Sequence, residues 1–140
     1  MQDLFSNVEQ RRVISPITGT DDTAMVGQII DHSAFDSVLY LIQTGTLADA
    51  GATWAVLLEH GDVSNLSDAA AVPDADLIGT EALAGFSQAD DNEVRKLGYK
   101  GTKRYSRMTI TPTGNAGSAP VSACVLLGNP QKAPRSSQEA

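Results

Sequence analysis

The sequence predicts an all-β chain folded as an antiparallel β-sandwich, of jelly-roll or immunoglobulin-like type, and three observations carry that prediction. Short apolar runs recur between clusters of Gly, Pro, Asn, Asp and Ser. Several runs alternate apolar and polar residues with the two-residue period of a strand. Pro73, Gly79 and Gly85 interrupt the alanine-containing stretch where a helix would otherwise fit, which excludes a helical bundle. Seven or eight short strands separated by turns, in roughly 105 residues, suit two packed sheets.

Taken in order, residues 1–24 read as an extended N-terminal arm. Pro16 biases its predecessor away from helix, and Gly19 to Thr23 form a turn cluster. The sandwich is expected over 25–130. Met25 to Ile30 is its first strand, closed by Asp31-His32-Ser33. Val38 to Gln43, in part β-branched and aromatic, is the strongest strand signal, and Thr44-Gly45-Thr46 ends it. In Thr53 to Glu59, Trp54, Val56 and Leu58 share a face, which makes Trp54 a core anchor. Two short strands are expected around Ala70–Val72 and Asp76–Ile78, then another at Val94–Leu97 with a bend over residues 98–101. From Arg104 to Thr111 the chain alternates, with Arg104, Ser106, Met108 and Ile110 facing one way and Tyr105, Arg107, Thr109 and Thr111 the other. Ala119 to Leu127 is the last strand, with Val121, Ala123, Val125 and Leu127 on one face. Residues 131–140, with Pro134, Ser136 and Ser137 and no apolar pattern, are expected to form a flexible C-terminal tail.

Composition narrows the functional classes. The chain has 140 residues, 41% hydrophobic and 19% charged. A folded chain of this length buries roughly two thirds of its unfolded surface, enough for an unstapled core. The longest apolar runs, such as residues 38–42, fall far short of the ~20 residues that span a bilayer, so no membrane partner is expected. The start Met-Gln-Asp-Leu-Phe lacks a basic segment followed by an apolar one, so synthesis in the cytosol is expected. The single cysteine, Cys124, is expected to be a small buried thiol.

Charge is segregated. Residues 1–91 hold 2 basic and 15 acidic side chains and residues 92–140 hold 8 and 2, giving −13 and +6 within a net charge of −7. Either basic strands lie beside acidic loops in one fold, or copies associate head to tail. The acidic balance disfavours a nucleic-acid partner.

Reactive constellations are absent from the pattern. His32 and His60 have no metal-ligand spacing and are expected to be exposed imidazoles at strand ends. There is no nucleophile elbow and no phosphate-cradling loop. Asp21-Asp22, Asp90-Asp91 and Asp74-Ala75-Asp76 lack the Gly and terminal Glu of a calcium loop and read as solvated loop acids. No catalytic residue, cofactor or metal is therefore assigned. Tyr99 and Tyr105 interleave with Lys100, Lys103 and Arg104. The favoured reading is an aromatic on one sheet face with cations along its solvent edge, ahead of a stacking platform for bases or sugars.

The stretches Leu97 to Pro112, Ala123 to Pro134 and Trp54 to Asp62 resemble small virion proteins of tailed bacteriophages, and the resemblance covers roughly residues 25–134. It implies a β-sandwich structural component of the phage particle without enzymatic activity, and it carries over no catalytic residues. The expected function is capsid decoration or cement, binding the outside of the major capsid lattice. Alternatives are a head-to-tail neck or connector ring, and, in another class, a carbohydrate-binding module using Tyr99 and Tyr105. A hydrolase built on Asp74 and Asp76 is the least favoured class. Expected partners are the major capsid protein and neighbouring copies, with a homotrimer as one expected state, in a virion assembled in a bacterial host. The candidate contact residues are Arg11, Arg12, Val13 and Ile17 from the arm and Lys100, Lys103, Arg104 and Arg107 as a basic set.

Overall fold

A computed structural model describes residues 2–135. Its strands are β1 (Val8–Gly19), β2 (Met25–Val26), β3 (Ile30–Asp31), β4 (Phe35–Thr44), β5 (Thr53–Gly61), β6 (Ala70–Ala71), β7 (Leu77–Ile78), β8 (Phe86–Ser87), β9 (Val94–Tyr99), β10 (Tyr105–Thr113) and β11 (Ala119–Pro130), with a single helical turn, α1 (Glu81–Ala84). They form two packed antiparallel sheets. The first has the order β1-β11-β4-β9-β7, and the second β2-β10-β5-β6, with β3 also pairing β10 and β8 pairing β5. The all-β sandwich expected from the sequence is the fold observed.

The alternating strands behave as their period requires. Val121, Ala123, Val125 and Leu127 of β11 and Val38, Tyr40 and Ile42 of β4 face Trp54, Val56 and Leu58 of β5 and Met108 and Ile110 of β10, and all are buried. Trp54 stacks on Phe86 with centroids 5.3 Å apart, the core anchor its spacing predicted. The Tyr40 hydroxyl, 2.7 Å from Ser106 Oγ, makes a polar bridge between the sheets through this core.

Several expectations are corrected. The segment read as an arm is, over Val8–Gly19, an integral strand of the first sheet. It pairs with β11 from Val8↔Gly128 to Gly19↔Ala119. Register shifts between Arg12 and Ile14 and between Ile14 and Ile17 break strict alternation, so the adjacent Val13 and Ile14 both reach the core. Pro16, which suggested a free arm, sits on an edge strand, where its missing N–H is tolerated. The sandwich therefore begins at about residue 8 rather than 25.

The expected Met25–Ile30 strand is split into β2 and β3, and between them the backbone at Gly27 passes against β10. Gly27 N–H donates to Met108 O at 2.8 Å, and a Cβ there would lie 2.6 Å from that oxygen. Gly98 and Tyr99 continue β9 rather than bending, since they pair with Leu39 and Val38. The first half of the expected tail also docks. Gln131 N–H donates to Ala34 O at 2.9 Å, Arg135 N–H donates to Ser6 O at 2.6 Å, and the Arg135 guanidinium pairs with Glu9 and lies over Phe35. Residues 136–140 lie outside the described residues.

Candidate interaction surface

The predicted contact residues separate into three groups. Val13 is 3% exposed and belongs to the core, so it leaves the candidate list. Arg11, Lys103, Arg104 and Arg107 are engaged within the fold. Arg11 pairs with Glu9 at 2.6 Å and donates to Asp31 O at 2.9 Å. Lys103 pairs with Asp62 at 2.6 Å, Arg104 with Asp31 at 2.8 Å, and Arg107 with Glu59, its cross-strand neighbour, at 2.8 Å. Arg104 also lies over the Tyr105 ring, 5.0 Å from its centroid. Arg12, Lys100 and Ile17 are exposed, and Arg12 and Lys100 form no ion pair among the described residues.

The electrostatics follow these pairings. Burial of Glu9 opposes its ionisation, but Arg135 and Arg11 outweigh it and hold the carboxyl below the ordinary range. Arg104 pulls Asp31 down to about 2. Five of the eight cations in residues 92–140, Arg95, Lys103, Arg104, Arg107 and Arg135, thus pair with acids from residues 1–91 inside one molecule.

A site the sequence reading missed lies on the outer face of the first sheet. Register across the sheet places Gln10, Leu126, Leu39, Gly98 and Ile78 in one row. The next row is Arg12, Cys124, Leu41 and Lys96. An apolar stripe of Leu126, Leu39, Cys124 and Leu41 therefore runs between two cations. Gly98 keeps the floor low, because a Cβ there would lie 2.9 Å from Ile78 Cβ. Leu83 on α1 forms a rim. The turn is held by the Thr80 hydroxyl accepting from Leu83 N–H at 3.0 Å, by Glu81 accepting from Leu58 N–H at 2.6 Å, and by Arg95 donating to Leu83 O at 2.8 Å.

The result is a groove of about 690 Å³ lined by Leu39, Ile78, Leu83, Val94 and Leu126, with Lys96 and Lys100 beside it. A second hollow of about 530 Å³ adjoins it through Val94 and is lined by Arg12, Leu41 and Cys124. Cys124 is thus half-buried on the outer face rather than in the core, and its thiol is pushed up by that burial. The signal was present in the sequence. Val38 to Ile42 is apolar at every position, and Leu126 sits between the core residues Val125 and Leu127, so both faces of β4 and β11 carry apolar side chains.

The two histidines are buried, contrary to the expectation of exposed imidazoles, because Tyr99 turns inward between them. His60 Nδ1 hydrogen-bonds the Tyr99 hydroxyl at 3.1 Å, and the His32 and Tyr99 rings are 5.0 Å apart. Burial depresses His32 to about 4. Tyr99 is therefore closed off as a platform for sugars. Asp74–Asp76 forms a short 3-10 turn. Among the described residues no group of three or more His, Cys, Asp or Glu is placed to hold a metal ion, and no helix is long and apolar enough to cross a membrane.

No protein-family model and no curated protein sequence matches the chain. Among solved structures, it is similar to the SPBc2 prophage-derived protein YomS at 10% sequence identity and a TM-score of 0.46, over 86% of this chain and 93% of that one.

Proposed function

We propose that this protein is a structural component of a tailed-phage particle, a decoration or cement protein that sits on the outside of the capsid lattice and strengthens it through surface contacts. The observation that carries this reading is the unpartnered outer face of the first sheet. A sandwich with a net charge of −7 keeps a half-buried apolar stripe on its outer face and borders it with cations that have no ion-pair partner among the described residues. Such a face serves association. The resemblance of residues 25–134 to small virion proteins supports the same class. A capsid shell offers many sites at fixed spacing, so modest contacts per copy give strong retention. The neck-ring alternative drew on charge segregation, and that argument weakens because the ion pairs close within one molecule. Arg12 and Ile17, exposed on the β1 edge, and Lys100 beside the groove are the expected capsid contacts that the fold leaves exposed.

The test is the copy number of the chain in gradient-purified particles of the phage that encodes it, measured by quantitative mass spectrometry against the major capsid protein. Decoration expects a number that scales with the capsid lattice. A count of about six or twelve per particle would transfer the protein to the neck. Its absence from particles would end the virion reading. In the same assay Arg12→Glu should lower retention, since it reverses an exposed charge without breaking an internal pair.

A further inference from the structure

We infer that the groove on the outer face of the first sheet receives the Leu4–Phe5 knob of a second copy of this chain. The inference deepens the reading above, which supplies the expectation of many copies at close spacing, but its test needs no particle. Leu4 and Phe5 are adjacent and stand 69% and 66% exposed. They are presented on a formed turn: Ser6 N–H donates to the Asp3 carboxylate at 3.1 Å, and Asn7 Nδ2 donates to Asp3 O at 2.7 Å. Two large apolar side chains carried into water on a formed turn are a binding feature, because ordering the backbone beforehand lowers the cost of association.

Size and charge match the groove to this occupant. The open apolar walls of the 690 Å³ groove are Ile78 and Leu83, 61% and 71% exposed, over a floor of Leu39 and Leu126. A pair of side chains, one aromatic and one aliphatic, is the scale of anchor such a pocket takes. Asp3 precedes the knob and carries a full negative charge, its carboxyl held below the ordinary range by the Ser6 hydrogen bonds. Lys96 and Lys100 border the groove and form no ion pair among the described residues. The lining also holds Asp36 and Glu93, the latter paired with Arg95, so the acidic residue next to the knob meets an apolar groove whose excess of cations lies at Lys96 and Lys100.

The geometry also allows both contacts to form together. The knob leads into Val8, which pairs with Gly128, which pairs with Ser37, and Ser37 and Asp36 line the same groove. The groove runs along β9 toward Val94, and its Asp36–Ser37 end lies at the knob's end of the sheet, so a two-fold pair that brings these ends together can seat both knobs in both grooves.

The experiment is sedimentation velocity on the full chain from about 10 µM to about 1 mM, with three sets of variants. Wild type should associate. Leu4→Asp/Phe5→Asp should weaken association by at least about thirtyfold, the scale of losing a central anchor. Ile78→Asp/Leu83→Asp should do the same from the groove side. Mixing the knob variant with the groove variant restores one intact contact and should give a one-to-one heteropair that neither forms alone. Lys96→Glu/Lys100→Glu should weaken association several-fold and reduce its sensitivity to salt. All four substituted apolar positions are exposed, so thermal melts should match wild type, and a variant that fails to melt cooperatively is replaced by the corresponding alanine pair. A wild type that stays monomeric to about 1 mM, or association that survives the knob variant, overturns the inference. Either result leaves the copy-number test of the virion reading unaffected.

Discussion

His32 shows how a single position sets a property of the whole domain. It is buried against Tyr99, and desolvation holds it near 4, with His60 and Arg11 adding to the depression while Asp31 opposes it. The unfolded chain binds the proton first, near the ordinary value of about 6.5. Stability is therefore complete above pH 6.5 and declines as the pH falls toward 4, where the folded form also takes the proton. The decline reaches about 3 kcal/mol at most. Urea unfolding at pH 7 and pH 4.5 should show it, and His32→Gln should flatten the slope across that window. An unchanged slope in the variant would move the titration elsewhere. A separate loss begins below about 3.8 as Asp31, held at about 2 by Arg104, gives up its advantage in the folded state.

At the scale of elements, β1 decides what the N-terminal segment is for. It covers the edge of β11 along almost its whole length and sends Val13 and Ile14 into the core, and Gln28 N–H donates to Val13 O at 2.9 Å from the other side. A free arm would tolerate change; a strand does not. Val13→Asp should cost several kcal/mol, since it buries a carboxylate with no partner. Denaturant unfolding followed by Trp54 fluorescence measures this. A loss under about 0.5 kcal/mol would mean that β1 detaches without consequence. The same strand explains why the candidate contacts on it divide. Arg11 and Val13 are held by the fold, whereas Arg12 and Ile17 project from it.

For the whole molecule, the ion pairs connect the acidic first part of the chain to the basic second part at Asp31–Arg104, Glu59–Arg107, Asp62–Lys103 and Glu9–Arg135. The Asp62–Lys103 and Asp31–Arg104 pairs are substantially solvated, and exposed pairs of this kind are worth ~0–1 kcal/mol each. They match the register already set by the core. Raising NaCl to about 1 M should therefore lower the melting temperature by less than about 5 °C. A fall of more than about 10 °C would mean that electrostatics, not the core, holds the two charge regions together. Of the four cations that form no ion pair among the described residues, Arg12, Lys96, Lys100 and Lys132, the first three border the outer face of the first sheet.

The alternation in β5, β10 and β11 determined an all-β sandwich, its main strands and the buried face of each, because inward and outward positions on a strand are two residues apart whatever the strand pairs with. Trp54 was legible as a core residue for the same reason. What only the tertiary structure decided is how strands pair and where leftover surface collects. Pairing of β4 with β11 and β9, strands far along the chain, aligned Leu39, Leu41, Cys124 and Leu126 into one half-buried stripe on the outer face. Pairing of β1 with β11 turned an expected arm into an edge strand. The inward turn of Tyr99 enclosed two histidines that a strand-end position suggested were exposed. Each of these depends on contacts between residues distant in sequence, and local periodicity carries no record of them.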